Sequence, residues 1–149
     1  MNLLEMQDIG DCRVVFRNMD DLRTIEGRIR RVWGRRIVKI DDYVAGPRQS
    51  GYRAVHIVIE RDGRPIEIQL RTAKHHEWAQ TVESFSGSEG SNYKQDGMSP
   101  VQLMMAAISR VEQYQERDEV PPRHLVDEMR KLGEAAMEHL LGSRREDTQ

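Results

Sequence analysis

The spacing of apolar residues changes several times along this chain, and each change marks an element. Cys12–Phe16 (CRVVF) is a short apolar run, the pattern of a buried strand. Leu22, Ile25, Ile29 and Val32 then recur at helical spacing, which predicts a helix from an Asp20 N-cap to about Trp33, ended by Gly34. Arg36–Ile40 (RIVKI) reads as a second strand. Ala45–Gly51 carries Gly46, Pro47, Ser50 and Gly51, so it reads as a loop.

The sharpest local signal follows. Tyr52–Glu60 and Arg64–Leu70 are β-rich runs on either side of Asp62-Gly63, a pair that favours a two-residue type I′ turn. That turn sets the register. Ile59 faces Ile66, Ile57 faces Ile68 and Val55 faces Leu70, six side chains on the core side. The other side carries Ala54, His56 and Val58 on one strand and Glu67, Gln69 and Arg71 on its neighbour. Polar groups gathered on one side of an apolar hairpin mark a candidate site, although spacing alone favours an ordinary outward sheet face.

Thr72 is placed to cap a helix running to about Ser84, with Trp78 and Val82 as its apolar anchors. Phe85–Met98 (FSGSEGSNYKQDGM) reads as a loop. Ser99-Pro100 is an N-cap followed by proline at the first helical position, and Leu103, Met104, Ala107, Ile108 and Val111 line the helix after it. Pro121-Pro122 breaks the chain before a last helix striped with Leu125, Met129, Leu132, Ala136 and Leu140. From Gly142 the tail is expected to fray. No internal repeat is visible. The expected organisation is an α+β core over residues 1–98 followed by a C-terminal helical pair over 99–149.

Composition narrows the class. With 149 residues the chain suits one domain with a modest core, and 32% charged residues give it a soluble, surface-rich character. A net charge of −2 argues against a bulk electrostatic drive to nucleic acid. Arg28, Arg30, Arg31, Arg35 and Arg36 cluster near one helix end, which reads first as a solvated face. Cys12 is the only cysteine, so an internal disulfide and a cysteine-rich zinc site are excluded. The start, MNLLEMQDIG, shows no basic leader or cleavage site, and no run is long enough to cross a bilayer. A reducing cytoplasm is the expected location.

Two carboxylates are candidates for chemistry. Asp8 precedes the first strand, and a carboxylate there, facing one from a neighbouring strand, suits magnesium. Glu67, mid-strand on the face away from the core, is such a partner. Taken singly, Asp8 reads as a loop or cap residue and Glu67 as an exposed strand residue. His75-His76-Glu77 invites a zinc reading, but the HExxH spacing needs histidine where Gln80 stands, so that reading is rejected in favour of a plain helix face.

Three blocks then belong together: DIGDCRV from Asp8, DYVAGPRQSGYRAVH from Asp42 to His56, and EIQLRT from Glu67. In order and spacing they resemble the conserved blocks of the RelA/SpoT-type (p)ppGpp synthetase domain, over about half the chain. The resemblance implies a nucleotidyltransferase-like mixed sheet flanked by helices. It also implies transfer of pyrophosphate from ATP to the 3′-hydroxyl of GDP or GTP, with Mg2+ as cofactor. Asp8 matches the magnesium-binding aspartate. Glu67 matches the glutamate that shares in metal binding or activates the acceptor hydroxyl. Tyr52 matches the tyrosine that stacks on the acceptor base. Arg48 stands where lysine is usual in a phosphate-reaching loop, a swap that keeps charge and adds bidentate capacity. His56, Gln69 and Arg71 match positions expected to contact phosphate or ribose, and Arg13 is expected to touch donor phosphate or brace Asp8.

The sequence departs from the pattern in two places. The resemblance implies a basic, ATP-holding segment before the first block, yet only seven residues precede Asp8 and none is basic; a fragment, a misplaced start or a partner that supplies the surface would each account for this, and a truncated chain would be impaired. Asp11 stands where a small residue, often glycine, is usual; its charge would weaken phosphate binding or add a metal ligand. No His-Asp hydrolase motif is visible, which favours a synthetase-only reading. Two alternatives remain at this level: a toxin-type pyrophosphokinase acting on tRNA or adenine nucleotides, and a non-catalytic guanine-nucleotide-binding remnant. The apolar stripes of the last two helices either pack on the core or form the interface of a homo-oligomer, the expectation the resemblance adds.

Overall fold

The computed structural model describes residues 10–89 and 98–146. These fall into two compact units, one of residues up to 47 together with 53–77, the other of 48–52 together with those from 78 onward.

The first unit is built on a mixed sheet of β1 (Gly10–Phe16), β2 (Ile37–Asp42), β3 (Val55–Arg61) and β4 (Arg64–Thr72), in the order β1-β4-β3-β2. β1 runs parallel to β4, and the other neighbours are antiparallel. The hairpin adopts the register expected from its turn. Val55 faces Leu70, Ile57 faces Ile68 and Ile59 faces Ile66. Asp62 and Gly63 have φ of +52° and +72°, as a type I′ turn demands of both central residues. Val55, Ile57, Ile59 and Leu70 are buried and Ile66 and Ile68 pack against them. Burial of such side chains contributes about 1.5–3 kcal/mol each.

α1 (Met19–Trp33) covers that face. Its cap is Asn18, whose side chain accepts from the Asp21 N–H at 2.9 Å, rather than the expected Asp20. With the cap two residues earlier, Leu22 is buried and Met19, Ile29 and Trp33, partly buried, pack on the same cluster as one stripe. Val32, expected on that stripe, is 77% exposed because Trp33 takes its place one residue on. Gly34 ends the α-helix without a left-handed turn, and the chain passes through a 3-10 turn, Gly34–Arg36, into β2. β2 therefore starts and ends later than the expected Arg36–Ile40. β1 is an edge strand covered on one face, not a buried strand: Cys12 is exposed and Val15 is 45% exposed. β3 begins at Val55, three residues after Tyr52.

Glu26 is buried on α1 and accepts from Arg23 at 2.8 Å and Arg30 at 3.0 Å. Arg23 also donates to Asp42 at 2.8 Å. Asp42 Oδ1 in turn accepts from the N–H groups of Val44 and Ala45, so one carboxylate ties α1 to the start of the following loop. Burial works to raise the Asp42 pKa, but the hydrogen bonds from Arg23 and the Ala45 amide outweigh it and hold the carboxyl below its usual range. Burial works to lower the Arg23 pKa, but its hydrogen bonds to Asp42 and Glu26 outweigh it and raise the group above its usual value.

α2 (Ala73–Glu89) starts at a reciprocal cap: Thr72 Oγ1 accepts from the His75 N–H, and His75 Nδ1 accepts from the Thr72 N–H, both at 3.3 Å. The helix runs past the expected end at Ser84, so Phe85–Glu89 are helical; the middle of the expected loop lies outside the described residues. In the second unit, α3 (Pro100–Glu116) and α4 (Arg123–Glu146) pack together. Ser99 and Gln102 form a capping box around Pro100. Trp78, Ala79, Val82, Val101, Met105 and Ala136 are the core there. Trp78 Nε1 donates to the Met105 carbonyl at 2.9 Å. α4 stays helical through Glu146, beyond the expected fraying point at Gly142.

Candidate functional site

The face of the sheet opposite α1 carries the polar residues. Register lays them out in rows. One row reads Asp11, Glu67, Val58, Lys39 from β1 through β4 and β3 to β2. The next reads Arg13, Gln69, His56, Asp41. Directly opposed residues share a face and lie close enough for side-chain contact.

Glu67 is the centre of this arrangement. His56 Nδ1 lies 2.7 Å from Glu67 Oε1, a diagonal contact between β3 and β4, and both side chains are mostly covered. The Tyr43 ring stands perpendicular to the His56 imidazole, with centroids 5.4 Å apart. Gln69 Oε1 accepts from Arg13 Nε and from an Arg71 guanidinium nitrogen, both at 3.4 Å. Arg71 is buried at its place on β4. Lys39 and Asp41 pair at 2.8 Å at the β2 margin. The Asp41 hydrogen bond and charge, with smaller contributions from Tyr43 and Glu67, raise the Lys39 pKa.

Five of the residues singled out from the sequence, Arg13, His56, Glu67, Gln69 and Arg71, are thus brought together on one surface. Asp8 lies outside the described residues. Asp11 faces Glu67 across β1 and β4. Among the described residues no three His, Cys, Asp or Glu side chains converge as a metal cluster. Magnesium needs only one or two carboxylates, with water and phosphate completing its shell, so the Asp11–Glu67 pairing suits it.

Arg48 and Tyr52 belong to the second unit. They flank a closed turn in which the Arg48 N–H donates to the Tyr52 carbonyl at 3.1 Å and the Gly51 N–H to the Arg48 carbonyl at 2.9 Å. The Arg48 guanidinium lies 6.0 Å from the Tyr52 ring centroid, and Tyr52 packs edge-to-face on Trp78 at 6.5 Å. Ser109 Oγ donates to the Gly51 carbonyl at 2.7 Å, both groups buried. α3 therefore braces the loop that presents Tyr52.

Sequence reasoning missed Lys39, Asp41 and Tyr43. A bulge between Ile37 and Lys39 resets the alternation of β2, so Ile37 and Ile40 both meet the core while Lys39 and Asp41 share the polar face. The one available signal was the phase break between Ile37 and Ile40, three residues apart in a strand. His75 proves to be a buried helix cap, which accounts for it without a metal.

Comparison with known proteins bears on this surface. A family model described as a region found in RelA / SpoT proteins matches residues 2–97. The chain is 32% identical over 76 residues to the GTP pyrophosphokinase of Haemophilus influenzae, covering 50% of this chain and 10% of that protein. It is 32% identical over 77 residues to the GTP pyrophosphokinase of Escherichia coli, covering 51% and 10%. The chain thus spans about a tenth of the length of these curated relatives. Small alarmone synthetase 2 from Bacillus subtilis shares the fold with a TM-score of 0.61 at 21% identity, over 76% of this chain and 64% of that one. Small alarmone synthetase 1 from the same organism, solved with its product pppGpp, gives 0.57 at 22% identity, over 79% and 64%.

Proposed function

The chain belongs to the RelA/SpoT family, and from that premise we propose that it is a (p)ppGpp synthetase-like pyrophosphokinase. It would use ATP as donor and GDP or GTP as acceptor, in the cytoplasm, as a homo-oligomer. The observation that carries the reading is Glu67, a carboxylate held by His56 on a sheet face that also bears Arg13, Gln69 and Arg71. A base beside fixed guanidinium groups suits transfer of a charged phosphoryl group, where positioning and charge stabilisation supply most of the catalysis.

In this reading Glu67 takes the proton of the acceptor 3′-hydroxyl. The 3′-oxygen attacks the β-phosphorus of ATP in line. The new O–P bond forms as the bond from the β-phosphorus to the α,β-bridging oxygen breaks, and that electron pair leaves on AMP. Arg13 and Arg71 offset charge on the moving phosphates, with Gln69 fixing both guanidinium groups. The family resemblance assigns the acceptor base to Tyr52 and its phosphates to Arg48. Asp8 and Glu67 would hold Mg2+, with Asp11 beside Glu67; when bound, the ion supplies further charge neutralisation.

The test is incubation with magnesium, ATP labelled on its γ-phosphate, and GDP or GTP, followed by chromatography of the nucleotides. A labelled guanosine product that is lost in Glu67→Gln is expected. No product with either acceptor from a cooperatively melting chain would overturn the assignment, and product only with tRNA or adenine nucleotides would replace the acceptor. Light scattering that returns a monomer would remove the oligomer.

A further inference from the structure

We infer that His56 is a positioning residue for Glu67, rather than a contact to phosphate or ribose. The inference rests on the reading of Glu67 as the base and deepens it. An ionised carboxylate only accepts hydrogen bonds, so at 2.7 Å the proton sits on His56 Nδ1 and is donated to Glu67 Oε1. That bond fixes the carboxylate's rotation and leaves Oε2 for the acceptor hydroxyl or, where Glu67 holds the ion, for Mg2+. Glu67 has three side-chain torsions, and on a pleated sheet nothing intrinsic selects one orientation of its carboxylate. The imidazole supplies that selection.

The surroundings of His56 suit this task. The ring is set perpendicular to Tyr43 at 5.4 Å, which limits its swing. Gln69, its direct neighbour across β4, is engaged by Arg13 and Arg71. Asp41, its neighbour on β2, is held by Lys39. Glu67, one row over, is a carboxylate that His56 reaches, at 2.7 Å.

Two isosteres separate the roles of the two ring nitrogens. Asparagine places its amide nitrogen at the reach of Nδ1, and glutamine places its own at the reach of Nε2. His56→Asn is expected to keep most of the wild-type kcat. His56→Gln and His56→Ala are expected to lose kcat on the order of 100-fold, the scale of a misplaced catalytic group, with KM for the acceptor unchanged. Acceptor affinity, measured by calorimetry without ATP, is expected to be equal in all three. The inference is overturned if His56→Gln retains turnover while His56→Asn loses it, if His56→Ala is as active as wild type, or if the variants change KM and affinity rather than kcat. Wild-type turnover in Glu67→Gln would remove the reading of Glu67 itself, and this inference with it. Thermal melting of each variant separates loss of fold from loss of kcat.

Discussion

Gly51 is the position where the smallest change should have the largest effect. Its φ is +94°, a conformation that costs an L-residue about 1–2 kcal/mol. A methyl group there would stand 2.9 Å from Ser109 Cβ, 3.0 Å from Ala106 Cα and 3.2 Å from Trp78 Cζ2. Carbon atoms prefer roughly 3.5–4.0 Å, and two of these neighbours are rigid, one of them backbone. Overpacking of this kind costs about 1–3 kcal/mol. Together Gly51→Ala should lose about 2–5 kcal/mol, if strain and overpacking add. For a chain of this size each kcal/mol moves the melting temperature by roughly 2–4 °C. Gly63→Ala is the control: φ is +72°, yet nothing lies within 4 Å of its added carbon, so it carries the strain without the clash. Circular dichroism melts of both variants make the comparison. Gly51→Ala should melt well below Gly63→Ala. Equal melting temperatures would refute the argument that the loop is pressed against α3.

Further predictions follow from the same contacts. Because the folded pKa of Asp42 is lowered, the stability it contributes is present above the unfolded aspartate value of about 3.9 and is lost as pH falls through the folded value. The melting-temperature gap between wild type and Asp42→Asn should therefore be wide at neutral pH and narrow in acid; a gap independent of pH would contradict it. Thr72→Ala removes a helix cap and should cost about 1 kcal/mol in a urea titration, with no cost counting against the cap. Tyr52→Ala removes a base-stacking ring worth about 1–3 kcal/mol, so GDP or GTP should bind about 5- to 140-fold more weakly by calorimetry, and unchanged affinity would place the base elsewhere.

What the sequence made legible follows from which signals are local. The β3–β4 hairpin was readable to the residue because the Asp-Gly turn fixes register and strict alternation then assigns every side chain to a face. The clustering of His56, Glu67, Gln69 and Arg71 came with it. Arg13 needed the parallel β1–β4 pairing, a contact across more than fifty residues that spacing along the chain does not reveal. Helix ends were less legible. Asn18, Asp20 and Asp21 are all good caps, and only the packing of Met19 and Trp33 on the sheet decides among them. The bulge in β2 has no composition of its own, so Lys39, Asp41 and Tyr43 stayed hidden. Ser109, polar and fully buried on α3, interrupts the apolar pattern because it answers the Gly51 carbonyl, a partner that periodicity does not reveal.

Attack on the β-phosphorus of ATP by an acceptor that Glu67 activates is the central step of the proposed function. Position-specific label tests it directly. Parallel reactions with ATP labelled at the α-, β- or γ-phosphate, each with GDP and magnesium, should place the β and γ labels on the guanosine product and leave the α label on AMP. Transfer of the γ label alone, with ADP as the second product, would contradict the account and make the chain an ordinary phosphoryl kinase.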